Sequence, residues 1–166
     1  MKNIIKVILG ISFIFYLLAL VMLLFVGVMF VGIRGYIWTD LSLIEYIKNS
    51  SNFVPFKTIS TYIQAIFDGS MNISIPIKNI VGNLFMFLPM GIFLPFFIVK
   101  INKVSIFTIS MIILLFFIEA IQLVTRRGSF DIDDFILNML GALIGFGIWK
   151  SKLFQRLLKL TCPKTY

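Results

Sequence analysis

The sequence predicts an all-α fold: an integral membrane bundle of four transmembrane helices, with one long extracytoplasmic loop between the first and second. Three observations lead there. The 166-residue chain is 60% hydrophobic with a mean hydropathy of +1.04, more than a soluble core absorbs. Four apolar stretches, at roughly 7–33, 79–99, 104–124 and 132–149, are long enough to cross a bilayer at about 1.5 Å per residue. The cations that give the net charge of +8 gather at the ends of those stretches, which is how membrane orientation is set.

The length suits a single domain over residues 1–166. Nucleic acid is not expected as a partner, because the positive charge is spent on span ends. There is no histidine and one cysteine, Cys162. That excludes histidine-based triads, His-rich zinc sites and an internal disulfide. Acid–base chemistry would have to come from carboxylates, Lys, Tyr or water. No metal and no cofactor is expected: Asp131, Asp133 and Asp134 match no dedicated metal loop.

In chain order, Val7 to Ile33 is uncharged and lacks the short core and small-residue cleavage site of a signal peptide, so it reads as a retained anchor. Arg34 to Lys78 is the one long polar region. Within it, Asn52 to Phe56 reads as a fixed turn. Thr58 to Asp68 puts Ile59, Tyr62, Ile63 and Ile66 on one face, which fits a short amphipathic helix on the membrane or over the bundle. A plain connecting loop fits as well. The second span carries Pro89 and Pro95, which kink a membrane helix and free carbonyls for neighbours to satisfy. Lys100 and Lys103 mark a tight turn into the third span. The fourth span holds Gly141 and Gly145, a G-x-x-x-G pattern that admits a close helix neighbour. In the basic tail, 150–166, Lys152, Arg156 and Lys159 suggest a helix on an anionic membrane surface.

Four spans put both termini on one side. That side carries Lys2, Lys6, Lys100, Lys103 and the tail cations, so the termini are expected in the cytoplasm. Asn83, Glu119, Gln122, Asp131, Asp134 and Asn138 then fall toward the outer ends of their helices. Glu119 and Gln122 share a helix face. Asp131, Asp134, Asn138 and Gly141 recur at steps of 3, 4 and 3, one stripe of the next helix. Arg126 and Arg127 lie at the turn between. Four of the seven acidic residues sit between Glu119 and Gly145, and polar groups in lipid are costly and kept for a reason.

These residues also carry a resemblance. The segment Asn83 to Gly91, NLFMFLPMG, resembles the N-x-x-x-F-x-P-x-G stretch of VanZ-like membrane proteins. Glu119 and Gln122, followed by Arg127, Asp131, Asp134, Asn138 and Gly141, resemble that family's second block at the same offsets. Asn52, Pro55 and Phe56 are similar to its loop motif. The resemblance covers Asn52 to Gly145. It implies a bacterial plasma-membrane protein linked to resistance to teicoplanin and related lipoglycopeptides, and it implies no particular reaction.

The polar set supports three function classes. The first is a site for an amphiphile with a polar head in the outer leaflet, such as a lipid-linked cell-wall precursor or the lipoglycopeptide itself. Arg126 and Arg127 would hold its phosphate or carboxylate, and Glu119 or Asp134 would be the candidate general base if there is turnover. The second is a non-catalytic scaffold for cell-wall synthesis enzymes. The third is a small-solute transporter, disfavoured because transporter sites lie near the midplane. Against all three stands a purely structural reading, in which the polar residues pair and hold helices together.

Overall fold

The structure, a computed structural model, describes residues 2–26 and 42–161. The far end of the expected first span (27–33), the start of the polar region (34–41) and Cys162 with the end of the tail lie outside the described residues. Helix α1, Lys2–Val21, runs on through a π-helical turn, Met22–Val26. Two short helices follow in the polar region, α2, Leu43–Ser50, and α3, Lys57–Asp68. The second span is broken into α4, Ser74–Met86, and α5, Leu88–Phe97. A 3-10 turn, Val99–Asn102, leads into α6, Val104–Val124. Helix α7, Ile132–Lys150, is the last long one, and α8, Lys152–Thr161, follows it at once. No strand occurs among the described residues, and four stretches are long and apolar enough to cross a membrane.

The core is a seam where α4 and α5 meet α7 backbone to backbone. A Cβ built on Gly141 would fall 1.8 Å from the Leu84 carbonyl oxygen, and one on Gly145 would fall 2.0 Å from that of Leu88. Gly91 closes the seam from the other side, 2.2 Å from the Ala142 oxygen by the same construction. The G-x-x-x-G pattern is thus used inside this chain. The pairing of Leu84 with Gly141 and Leu88 with Gly145 runs in parallel register, as two helices entering from the same end must. Helix α6 runs against them: Phe107 stacks on Phe146 with ring centroids 4.5 Å apart. Phe107, Met111, Leu115 and Glu119 are its buried stripe, spaced by four residues as one helix face requires.

The break between α4 and α5 has a chemical cause. Pro89 offers no N–H, and the Met90 N–H turns to Phe87 at 3.1 Å. The Met86 carbonyl is then taken by the Tyr16 hydroxyl of α1, which donates to it at 2.9 Å. Phe13 and Tyr16 also pack on Phe93, so α1 docks on the kink. Tyr16→Phe should therefore lower the stability of the full chain in detergent by about 0.6–2 kcal/mol, the usual worth of an interhelical bond in a membrane. An unchanged unfolding midpoint would show that the kink does not need this donor.

At the opposite end, the Trp149 indole donates to Asn102 Oδ1 at 3.0 Å. Ser151 stops α7, and its Oγ accepts the Phe154 N–H at 3.2 Å to start α8. The apolar side chains of Leu153 and Leu157 are exposed there, in keeping with an amphipathic tail helix.

Candidate functional site

One end of the bundle gathers the polar side chains, and two connected networks organise it. The first ties the polar loop to the start of α7. Asn52 pairs with Asp131 as an isolated parallel bridge: its N–H donates to the Phe130 carbonyl at 2.7 Å and its carbonyl accepts from Ile132 at 3.0 Å. The Asn52 amide donates to Asp131 Oδ1 and to Thr58 Oγ1, both at 3.1 Å. Thr58 Oγ1 in turn donates to Asp131 Oδ2 at 2.6 Å. Asp131 also accepts the Asp133 N–H at 2.9 Å, which caps α7.

Asp133 completes the lock. It is fully buried and its carboxylate accepts three backbone N–H groups, from Phe56 at 2.5 Å, Thr58 at 2.7 Å and Ile59 at 3.1 Å. These are the orphan donors of the α3 N-terminus, where the helix dipole favours an anion. Phe56 itself sits in the left-handed region at φ 65°, at a cost of about 1–2 kcal/mol for a residue with a Cβ. Hydrogen bonds to a charged group are worth about 1.5–3 kcal/mol each, so the three together outweigh that cost. Pro55 and Phe56 thus shape the turn, while the Phe56 side chain stays exposed.

The second network lies deeper, between α4, α6 and α7. Asn83 donates to Asp134 in a very short hydrogen bond. Glu119 is buried at 6% exposure, with Asp134 and Asp131 near enough for their charges to act on it. Asn138, one turn beyond Asp134, is buried at 4% exposure. Asn83 and Asp134 are thus bonded across α4 and α7, Glu119 of α6 lies within reach of the Asp134 charge, and Asn138 follows Asp134 by one turn of α7. Helix α4 starts at Ser74, not near Asn79, so Asn83 lies roughly 13 Å along it and its first turns project past the cluster.

Other sequence-predicted residues go elsewhere. Gln122 donates to the Leu24 carbonyl at 2.8 Å and Arg127 reaches the Phe25 carbonyl at 3.4 Å. Both reach carbonyls of the π-helical turn that follows α1. Arg127 is exposed. Arg126, also exposed and at φ 55°, lays its guanidinium 5.7 Å from the centre of the Tyr46 ring, and the Tyr46 hydroxyl donates to the Gly128 carbonyl at 2.6 Å. The arginines therefore form the rim of this end and the carboxyls its interior. Among the described residues, no three Asp, Glu or Cys side chains converge as a metal-binding group.

Two parts of the site were not foreseen. Asp133 falls off the stripe of Asp131, Asp134 and Asn138 and faces the loop instead, so helix periodicity alone passes it over. Helix α2 was readable: Ser42 and Glu45 form a capping box, with the Glu45 N–H to Ser42 Oγ at 3.3 Å and the Ser42 N–H to Glu45 Oε2 at 2.9 Å, the S-x-x-E signature.

A family model described as VanZ/LLP1 matches residues 13–155. No curated protein and no solved structure matches the chain.

Proposed function

The chain belongs to the VanZ/LLP1 family, and on that premise we propose that it lowers bacterial susceptibility to teicoplanin-type lipoglycopeptides at the outer face of the plasma membrane. The polar end of the bundle binds an amphiphile there, either the drug or a lipid-linked cell-wall precursor. The termini lie in the cytoplasm, as the lysines at 2, 6, 100 and 103 argue, which turns the polar end outward.

The observation that carries this reading is the convergence of Asn83, Glu119, Asp134 and Asn138 inside the bundle under an exposed arginine rim. Holding helices together would take one ion pair or a few neutral contacts of about 0.6–2 kcal/mol. Instead this end concentrates buried carboxyls, which the bilayer makes expensive. A ligand with a lipid tail and a charged head matches an apolar bundle with one polar mouth. If the ligand is turned over, Glu119 and Asp134 are the groups able to take its proton.

The test is expression in a susceptible Gram-positive host. Wild type should reduce susceptibility to teicoplanin more than to vancomycin, which lacks the lipid tail. Asp134→Asn and Arg127→Ala should abolish the protection at unchanged membrane abundance. No teicoplanin shift with wild type would end the resistance reading. Protection that survives both substitutions would reduce the cluster to packing, and equal protection against both drugs would favour a scaffold acting on wall synthesis.

A further inference from the structure

The end of the bundle opposite the polar cluster carries cations of one sign on more than one element. Residues 1–39, 69–118 and 135–166 contain no Asp or Glu. Phe13 packs on Phe93 and Phe97, so Lys6, two turns earlier on α1, falls at this end, with the 99–102 turn and the junction of α7 and α8. Lys6, Lys100, Lys103, Lys152 and Arg156 are all exposed. The acidic residues of α6 and α7 that come nearest, Glu119 and Asp134, lie roughly 24 Å away along their helices.

Two of these elements are joined. The Trp149 indole donates to Asn102 Oδ1 at 3.0 Å, which fixes the turn leading to Lys103 beside the end of α7. Ser151 is extended, at φ −64° and ψ 141°, so α8 does not prolong α7. Phe154 packs against the Trp149 ring with centroids 6.0 Å apart, and the Gln155 amide donates to the Trp149 carbonyl at 2.7 Å. Helix α8 is thereby held against the bundle end.

Held in that way, α8 presents two adjacent stripes. Leu153 and Leu157, one turn apart, are 71% and 53% exposed. Lys152 and Arg156, also one turn apart, are rotated from them by about 100° and are exposed as well. Leucines beside cations on a short helix are the pattern of an interfacial helix. The leucines enter the acyl boundary, and the long cationic side chains stay at the level of the phosphates. Lys103 adds a charge from the neighbouring turn. Setting membrane orientation needs only cations near the span ends. It needs neither the leucine stripe nor the contacts that hold α8 in place.

We infer that this end is a binding surface for anionic phospholipid head groups, with Lys103, Lys152 and Arg156 at the phosphates and Leu153 and Leu157 among the acyl chains. The sequence reads the tail alone as a surface helix; here the 99–102 turn and α8 form one surface. The inference is independent of the drug reading and of the Glu119 and Asp134 cluster. On the orientation proposed above, the lipids are those of the inner leaflet.

The experiment uses the full chain in phosphatidylcholine nanodiscs, with phosphatidylglycerol added in steps at constant total lipid. The unfolding midpoint is followed, and native mass spectrometry identifies the lipids retained after release into mild detergent. Phosphatidylglycerol should raise the midpoint saturably and be retained in preference to phosphatidylcholine. Lys103→Gln, Lys152→Gln and Arg156→Gln should each lower that preference about fivefold, the roughly 1 kcal/mol that a Lys or Arg contributes at an anionic surface, and the triple variant should lose it. Lys48→Gln, Lys57→Gln and Lys78→Gln combined make the same charge change on exposed cations of the opposite end and should leave it intact. Should a variant fail to fold, a salt titration of wild type serves instead, since the preference of exposed cations must weaken as salt rises. No preference for phosphatidylglycerol, equal losses in the two triple variants, or a preference that ignores salt would overturn the proposal. So would an equal midpoint rise with inorganic phosphate in pure phosphatidylcholine, which would reduce the surface to a general anion patch.

Discussion

Gly141→Ala is expected to remove the folded bundle from the membrane, and Gly145→Ala to do nearly the same. The added methyl would sit 1.8 Å from the Leu84 oxygen in the first case and 2.0 Å from that of Leu88 in the second. Both neighbours are backbone, so no side chain can rotate away. Overpacking a core typically costs about 1–3 kcal/mol where side chains adjust, and here α4, α5 and α7 must separate as units. The loss should reach or exceed the upper part of that range. Gly147→Ala is the control. It lies on the same helix with nothing within 4 Å of its Cβ position, and the change favours helix by about 0.5–1 kcal/mol. Membrane abundance and the unfolding midpoint in detergent read all three. Wild-type behaviour of Gly141→Ala would mean that the seam is not as close as described.

Asp133→Ala should free the loop from the bundle. It leaves three N–H groups at the start of α3 without their acceptor and the left-handed Phe56 turn without its support. Removing one side of a buried charged contact costs about 3–5 kcal/mol. Asp133→Asn retains one acceptor oxygen and should lose roughly half as much. Limited proteolysis between residues 53 and 70 is the direct readout, with fast cleavage expected in Asp133→Ala and intermediate cleavage in Asp133→Asn. Asp134→Asn should be cleaved more slowly than Asp133→Ala, since Asp134 engages Asn83 of α4 and takes no part in the three Asp133 contacts at the start of α3. If Asp133→Ala is cleaved no faster than wild type, the loop is held by other contacts, and the Asn52–Asp131 bridge is the first to examine.

Much of this architecture is legible in the sequence because it rests on length and period. Apolar runs of membrane length, the 3- and 4-residue steps of Asp131, Asp134 and Asn138, and Glu119 inside an apolar helix are one-dimensional signals with a direct three-dimensional meaning. Pro89 likewise announces a kink. What stayed hidden depends on partners far along the chain. Asp133 acquires its role only when residues 56–59 arrive beside it. Gln122 and Arg127 look like members of the polar stripe, yet they turn to the Leu24 and Phe25 carbonyls. No periodicity could report that the Leu24 and Phe25 carbonyls of the π-helical turn after α1 come within their reach. Side-chain type and spacing place a residue on a face, and the partner on that face is decided by packing.

The glycine seam also bears on how copies of the protein could meet. A G-x-x-x-G in a transmembrane helix ordinarily advertises a surface for dimerisation. In this chain that surface is consumed: Gly141 and Gly145 are already covered by Leu84, Leu88 and Gly91 of the same molecule. Self-association through this motif would require the monomer to come apart first. A homodimer within the membrane would therefore have to form on other surfaces, and among the described residues α1, with Ile11, Phe15 and Leu18 turned outward, and α6, with Ile109, Ile113 and Phe116, expose apolar flanks of that kind.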